Sequence, residues 1–266
     1  MRRALNMFAR RKNRGFVLLT VLWMGLGLLL AASSYLVTQR QAALSIRAEL
    51  ETTRAVELAR SAVNIALADL GRIDDDQPRS LRDGSVVNIA MAEGVATYRI
   101  WDESGKLDIN AVPVELLGPT LQRIGDWQGI DAFEAVTIAQ AIITRRADSG
   151  AANVSRPIAQ ILADLGFPQD VSFQARQILT TYNGTPQVNP LTAPPELLAA
   201  IPGSGPSDVV RIIQRRSAGL SLPRLGTASV WLSGTEGPIF TIEGIGTLQS
   251  GVSATVIATV ATQGIS

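Results

Sequence analysis

The sequence predicts an α+β fold in which one long N-terminal helix packs on an antiparallel sheet, and an inserted helical region interrupts that sheet. Three observations predict this arrangement. Residues 16–37 carry no charge, and residues 38–70 contain neither Gly nor Pro. β-rich runs precede Trp101 and follow Gly219. The stretch between these runs, residues 110–216, has the pattern of helices, so the sheet must be assembled from strands that are far apart in the chain.

Residues 16–37 predict a membrane-spanning helix. The run has about 22 residues, or roughly 33 Å of helix, which is enough to cross a hydrocarbon core of about 30 Å. A block of cations with no acid precedes Gly15: Arg2, Arg3, Arg10, Arg11, Lys12 and Arg14. Such a block stays on the cytoplasmic side, so the chain after Val37 is expected across the membrane. An ordinary signal anchor explains the same pattern, whereas a secretory signal peptide would have a shorter apolar region followed by a cleavage site.

The helix is predicted to continue beyond the membrane through residues 38–70, where good helix formers dominate. Small apolar residues recur there at three-to-four spacing, at Ala55, Ala59, Ala62 and Ala66. This stripe predicts a face that packs on a globular head, and Gly71 supplies the C-terminal stop. A membrane anchor followed by a coiled coil is the alternative, although no heptad pattern is sustained.

Composition excludes most enzyme chemistry. The chain of 266 residues contains no Cys and no His, which excludes disulfides, Cys/His zinc sites and histidine-dependent catalytic triads. Only two lysines are present, Lys12 and Lys106, and no enzymatic activity is expected. Without the six cations before Gly15, the chain carries 18 basic and 23 acidic residues, a net charge of −5. This mildly acidic body argues against a general nucleic-acid binder.

The β-rich runs predict the strands of the sheet. Residues 85–92 and 95–101 are expected to form a hairpin around residues 93–94. Residues 238–246 and 252–261 are expected to supply the last two strands, and apolar and polar residues alternate in the second of these.

The helical region is internally repetitive. Residues 110–117 resemble residues 190–198, and residues 142–146 resemble residues 212–216. Each copy has Pro near a helix start, where its missing N–H costs nothing, and a later helix that ends in paired arginines. Two degenerate copies of a helix pair are therefore predicted. Residues 156–165 and 170–182, which lie between the copies, predict two further amphipathic helices.

The turn Pro202-Gly203-Ser204-Gly205 supports a rival hypothesis. With its apolar flanks it resembles a helix-hairpin-helix motif, which in DNA-binding proteins presents backbone N–H groups to a phosphate. The cations near this turn are Arg211, Arg215 and Arg216, and no lysine flanks it. Phosphate binding needs several convergent cations. A tight turn between packed helices is therefore the preferred interpretation, and a membrane-anchored DNA-binding module is the alternative.

Gly15-Phe16 stands between the cationic block and the apolar run. This arrangement resembles the leader of type IV prepilins and type II secretion pseudopilins. In those families a membrane prepilin peptidase cuts after the glycine on the cytoplasmic face and methylates the new N-terminal residue. The resemblance implies cleavage between Gly15 and Phe16 and N-methylation of Phe16.

The fifth residue after the implied cut is Thr20, where most of these families carry Glu. A carboxylate inside a bilayer costs about 2.5–3.5 kcal/mol on insertion scales, so it is kept only where it has a partner. In pilins the partner is thought to be the N-terminal amine of the subunit ahead. Absence of the carboxylate suits the first subunit of a filament. The alternative is that Thr20 is only a tolerated polar residue in a membrane helix.

Residues 101–110 predict an acidic turn at Ser104-Gly105, a short extended pair at Leu107 and Ile109, and a helix cap at Asn110. This run, Trp-Asp-Glu-Ser-Gly-Lys-Leu-Asp-Ile-Asn, is similar to the signature where K-family minor pseudopilins (general secretion pathway protein K) leave the sheet for an inserted domain. Residues 189–198 and the last two strands extend the resemblance over most of the chain. It implies a pilin-like fold with a helix-hairpin-helix-like (SAM-like) insertion.

The resemblance also implies a role. With the minor pseudopilins of the I and J families, a K-family protein forms a tip complex that primes the pseudopilus of type II secretion, which helps to export folded proteins from the periplasm. The implied partners include the major pseudopilin and the prepilin peptidase, and no nucleic acid is expected. The implied location is the bacterial inner membrane, crossed once, with the N-terminus cytoplasmic and the head periplasmic. A minor pilin of a related type IV pilus or DNA-uptake system is the alternative.

These interpretations divide the chain into a leader (residues 1–15), a transmembrane helix (16–37), a periplasmic helix (38–71), a first part of the sheet (72–110), an inserted helical domain (111–222) and C-terminal strands (223–266).

Some K-family members bind calcium through clustered acids in the inserted domain. The corresponding region here, residues 145–150, has Asp148 as its single acid, so no metal ligands and no cofactor are assigned. Three adjacent acids at residues 74–76 are expected to be solvated loop charges, because a cation site needs ligands at spaced, convergent positions.

Overall fold

The computed structural model describes residues 9–72, 81–125, 131–149, 157–164, 166, 175–222 and 225–262. The chain divides into two compact units, Met1–Arg54 and Ala55–Ser266. In chain order the elements are α1 (Ala9–Leu70), β1 (Val87–Met91), β2 (Gly94–Asp102), β3 (Leu107–Asp108), α2 (Val114–Gly125), α3 (Ala132–Ser149), α4 (Ile158–Asp164), β4 (Leu179–Thr180), α5 (Pro195–Ala200), α6 (Pro206–Ser217), β5 (Ile239–Leu248) and β6 (Ser253–Ala261). Short 3₁₀ helices lie at Glu103–Gly105 and Gly226–Trp231.

Helix α1 confirms the predicted long N-terminal helix. It ends at Leu70, where the N–H of Gly71 donates to the carbonyl of Leu67 at 3.0 Å. The sequence predicts the helix from Phe16, whereas α1 already includes residues 9–15, because arginine and lysine favour the helix about as well as leucine does. Among the described helices, α1 alone is long and apolar enough to cross a membrane. Its most apolar stretch has a mean hydropathy of 2.2 and is not buried.

Strands β1, β2, β5 and β6 form one antiparallel sheet in that order. β2 and β5 pair from Gly94, opposite Leu248, to Asp102, opposite Phe240. The strands predicted before and after the helical region therefore meet in one sheet, which confirms the α+β fold. The insertion leaves the sheet after Asp102 and returns to it at Ile239.

The second-unit part of α1 packs on this sheet through small residues. Its predicted stripe is fully buried, at Ala55, Ala59, Ala62 and Ala66. A Cβ added to Gly246 of β5 would lie 2.6 Å from the backbone N of Ala59, and one added to Gly244 would lie 2.7 Å from Cγ2 of Val63. Glycine at these two positions lets the strand approach the helix backbone closely.

The insertion has its own apolar core. Helix α2 packs on α3, α5 packs on α6, and α2 contacts α5. The largest fully buried side chains of this core are Leu107, Ile109, Leu116, Leu117, Leu121, Ile124, Leu162, Leu179, Leu197 and Leu198. The core also takes in Leu225 and Ala228, at the second 3₁₀ helix.

The two predicted copies of a helix pair are α2–α3 and α5–α6, and each follows a short extended segment. Strand β3 pairs in parallel with β4, which comes after α4. Val188, 81 positions after Leu107, forms a parallel bridge with Leu232. Each copy is therefore bracketed by a short parallel pairing that the sequence does not reveal.

Two local predictions are corrected. Residues 170–182 are predicted to be helical, but the described part, residues 175–182, contains β4, because Leu179 and Thr180 pair with β3. Asn110 does not cap α2. This helix begins at Val114, and the carbonyl of Pro113 accepts its first hydrogen bonds. Residues 156–165 hold α4 as predicted. The acids at residues 74–76 lie outside the described residues.

Candidate functional site

The predicted processing residues lie within α1. Gly15 and Phe16 are consecutive helical residues, and Phe16 is 68% exposed. The Thr20 hydroxyl donates to the carbonyls of Phe16, at 3.0 Å, and Val17, at 2.9 Å. This hydroxyl is satisfied within its own helix, so it needs no partner from another subunit. Cleavage at Gly15 and methylation of Phe16 stay predictions.

The junction between the sheet and the insertion is built around a buried ion pair. Lys106 Nζ lies 2.6 Å from Glu103 Oε1, and both side chains are almost fully buried. The Thr180 hydroxyl donates to the other Glu103 oxygen, and Lys106 also lies 5.7 Å from the ring centroid of Trp101. Both charges have partners inside the fold. The geometry is that of a structural pair that holds β4 to the end of β2.

Asp102 makes a second buried link at the same junction. Its carboxylate accepts from the backbone N of Ser104 at 2.8 Å and from the side chains of Asn189 and Thr192 at 3.4 Å. Burial raises the pKa of Asp102 above its ordinary value, and the charge of Glu236 adds to this, while hydrogen bonds from Ser104 oppose it. Asp102 thereby ties the last residue of β2 to the loop before α5.

One polar position of the run at residues 101–110 has a counterpart in the second copy with an equivalent hydrogen bond. The Asp108 side chain accepts from the N–H two residues later, at 2.7 Å, and Asn189, 81 positions on, does the same at 3.0 Å. These turns are the Asx type, in which a short polar side chain replaces a backbone acceptor. Both loops lead into a proline that begins a helix, so these residues set the entry to each helix pair.

In each copy, one of the paired arginines donates to a carbonyl of the loop that precedes the first helix of that copy. Arg146 of α3 donates to the carbonyl of Val112 at 2.9 Å, and Arg216 of α6 donates to that of Ala193 at 2.7 Å. Val112 and Ala193 are also 81 positions apart. The sequence predicts these arginines as partners of a helix dipole. The structure shows in addition that the second arginine of each pair binds the loop in front of its own helix pair.

A pocket of about 250 Å³ lies between the insertion and the sheet face opposite α1. Its sheet side comes from β2, β5 and β6, and its other side comes from residues around α4 and β4. The residues that line it include Trp101, Tyr182, Glu243, Ile257 and Thr259. Sequence reasoning missed this pocket, because its walls come from segments that are distant in the chain.

The predicted glycine turn is packed within the head. Gly203 has a φ of +83°, and its turn lies against Thr227 of the second 3₁₀ helix. The Asp208 carboxylate accepts from the N–H of Gly205 at 3.0 Å. An acid therefore occupies the position at the start of α6 where a DNA-binding turn would place a phosphate.

The nearby cations make contacts within the chain. Arg216 is largely buried, Arg215 donates to the carbonyl of Ser221, and Arg211 lies 3.7 Å from Asp208. These contacts support the structural interpretation of the turn.

Within the described ranges, no three His, Cys, Asp or Glu side chains gather at a metal-binding distance. In residues 145–150, where no metal ligands are assigned, Arg146 donates to the carbonyl of Val112, and the Asp148 side chain lies outside the described residues.

No family model matches the chain, and no curated protein matches it in sequence. One chain of the crystal structure of the GspK-GspI-GspJ complex from the enterotoxigenic Escherichia coli Type 2 Secretion System is similar in fold, with a TM-score of 0.50. The match covers 82% of this chain and 94% of that chain at 16% sequence identity. At this identity the similarity establishes the fold, and this chain has the pilin-like α+β fold with an inserted set of helices.

Proposed function

We propose that this protein is a minor pseudopilin that caps the tip of a type II secretion pseudopilus and primes its assembly with two other minor pseudopilins. The observation that carries this proposal is the fold similarity to a chain of the GspK-GspI-GspJ complex, which extends over most of both chains. The long apolar helix fits a single-pass membrane anchor. The proposed location is the inner membrane, with the cationic end cytoplasmic and the head periplasmic.

Two features support the position at the tip. Thr20 provides no carboxylate for the N-terminal amine of a preceding subunit, and its hydroxyl is already used within α1. The insertion adds a second apolar core to the head, and a head that large would not be tolerated at every position along a filament. A subunit with both features would lead the filament.

We further propose that the protein is not an enzyme and has no resident cofactor. The buried charges of the junction, Glu103 and Lys106, neutralise each other, and Asp102 is surrounded by hydrogen-bond donors. Their contacts hold the insertion to the sheet. The proposed partners are the I-family and J-family minor pseudopilins, the major pseudopilin and the prepilin peptidase.

The N-terminus tests the proposal directly. In a strain with an active prepilin peptidase, we expect mass spectrometry of the purified chain to find N-methylated Phe16 as the first residue. Gly15→Val should retain the leader and abolish secretion, because the proposed cut follows this glycine. Gly25→Val, in the same helix with open space around it, is the matched control and should be processed normally. An untrimmed wild-type chain in that strain would refute the proposed function.

A further inference from the structure

Strand β6 is an open edge of the sheet. It lies at one end of the strand order and pairs with β5, and within the described parts of the chain no backbone group bonds to its outer side. The other edge strand, β1, is only five residues long, whereas β6 has nine. Open edges of this length are usually protected in a free protein.

The pairing with β5 determines which groups of β6 are free. The N–H of Leu248 donates to the carbonyl of Val252 at 2.9 Å, and that of Thr262 donates to the carbonyl of Pro238 at 2.7 Å. Hydrogen-bonded pairs alternate along an antiparallel ladder, so the even-numbered residues of β6 bond to β5. The N–H and C=O groups of the odd-numbered residues therefore point away from the sheet: Ser253, Thr255, Ile257, Thr259 and Ala261.

This edge lacks the usual protection. Residues 251–262 contain no charged residue and no proline, which are the common devices against strand pairing. An uncharged strand of β-branched residues is also a hazard for aggregation if it stays uncovered. We therefore expect the outer edge of β6 to be covered by a partner that stays bound in the assembled state.

The pocket described above begins at this edge. Ile257 and Thr259 both line it, and both belong to the set with outward backbone groups. Ile257 is 47% exposed, and Tyr182, on the opposite side of the pocket, is 50% exposed. A strand added about 4.8 Å beyond β6 would place alternate side chains at the mouth of this pocket. Backbone hydrogen bonds with a side-chain pocket beside them are the two components of strand-addition sites.

We infer that the outer edge of β6 and its pocket form a strand-addition site for an extended segment of another minor pseudopilin. This inference rests on the proposed function. The segment must present an apolar side chain beside Ile257 and Tyr182. It covers the edge for as long as the complex lasts.

Residue-resolved hydrogen exchange tests the site. The full chain is measured in detergent, alone and after co-expression with the I-family and J-family proteins of the same organism. In the complex, exchange should slow at least tenfold at the amides of Thr255, Ile257 and Thr259. Exchange at Val256 and Ala258, which already bond to β5, should not change. A complex that leaves the odd-numbered amides at their free rates would overturn the inference.

A proline substitution provides an independent test. Thr255→Pro removes one outward N–H and no bond to β5, a position where edge strands tolerate proline. It should lower recovery of the partner proteins at least tenfold, whereas Thr255→Val should not, and slow exchange at Val256 would show that the variant is folded. If the Thr255→Pro variant recovers as much of the partner proteins as wild type, the inference is overturned and the proposed function is unaffected. If the wild-type chain recovers neither partner, the partners of the proposed function fail as well. If exchange at the outward amides of β6 slows as the concentration of this chain rises, without any partner protein, the site binds a second copy of the chain. That result would also overturn the inference.

Discussion

At the scale of single residues, Arg216 connects three parts of the head. It donates to the carbonyl of Ala193 and lies 3.4 Å from Asp83, and both charged side chains are 12% exposed. Asp83 in turn forms an isolated bridge with Trp101 of β2. Arg216 therefore links the second helix pair to the segment in front of the sheet. The DNA-binding alternative would instead require the guanidinium of Arg216 to face solvent.

Replacing this arginine should destabilise the head. Arg216→Met leaves Asp83 buried without this partner, which should lower the free energy of unfolding by about 3 kcal/mol. Chemical denaturation in detergent, followed by tryptophan fluorescence, measures the change. Arg211→Met on the same helix removes an exposed ion pair and should cost less than about 1 kcal/mol. Equal losses for the two variants would show that Arg216 is not part of the internal support.

At the scale of elements, the contact between α1 and β5 depends on small residues on both sides. The alanine stripe of α1 is fully buried, and Gly244 and Gly246 lie against its backbone. Larger residues on either side would push the helix away from the sheet. The helix could be predicted from its own sequence, but its distance from the sheet depends on both partners.

A single methyl group at this contact should be costly. A Cβ on Gly246 would also lie 2.8 Å from Cβ of Leu58, so Gly246→Ala should lower the free energy of unfolding by about 1–3 kcal/mol. Gly234→Ala adds the same methyl group where no atom lies within 4 Å, and it should change stability by less than about 0.5 kcal/mol. Thermal unfolding of the two variants gives the comparison. A Gly246→Ala variant as stable as wild type would show that the helix can move away without loss.

The duplication also belongs to this scale. The sequence predicts two helix pairs from repeated prolines and paired arginines, and the structure contains both. The arginine contacts explain the repetition, because each copy needs a cation for the carbonyl in front of its first helix. The two short parallel pairings were not predicted, since segments of two residues leave no periodic pattern.

At the scale of the whole molecule, charge and surface chemistry favour protein partners over nucleic acid. The chain after Gly15 has a net charge of −5, and the cations near the glycine turn make contacts within the chain. Salt-dependent DNA binding requires several cations that are free to replace counterions. The uncharged edge of β6 instead offers backbone groups that another polypeptide can bind.

The full chain in detergent should therefore not bind duplex DNA. We expect no change in the fluorescence anisotropy of a labelled duplex at low salt. A rise in anisotropy that weakens steeply with added salt would contradict this prediction, if the double substitution Arg211→Gln and Arg215→Gln also abolishes it. It would favour the DNA-binding alternative over the filament-tip subunit.

The sequence by itself determined the features that depend on neighbouring residues. The apolar run, the continuation of α1 to Leu70, the period-two pattern of β6 and the repeat of proline and arginine are all local in the chain. Their physical cause is local as well, because hydropathy, helix propensity and side-chain alternation act over a few residues. The two helix pairs and the split sheet could therefore be predicted before the structure.

Only the tertiary structure decided how distant segments meet. It placed β3 beside β4, Arg216 beside Asp83, Glu103 beside Thr180, and the pocket beside the open edge of β6. These contacts join residues that are tens of positions apart, and each depends on how the insertion packs on the sheet. No local pattern encodes that packing, because a buried ion pair or a free strand edge is defined by what surrounds it and not by its own sequence.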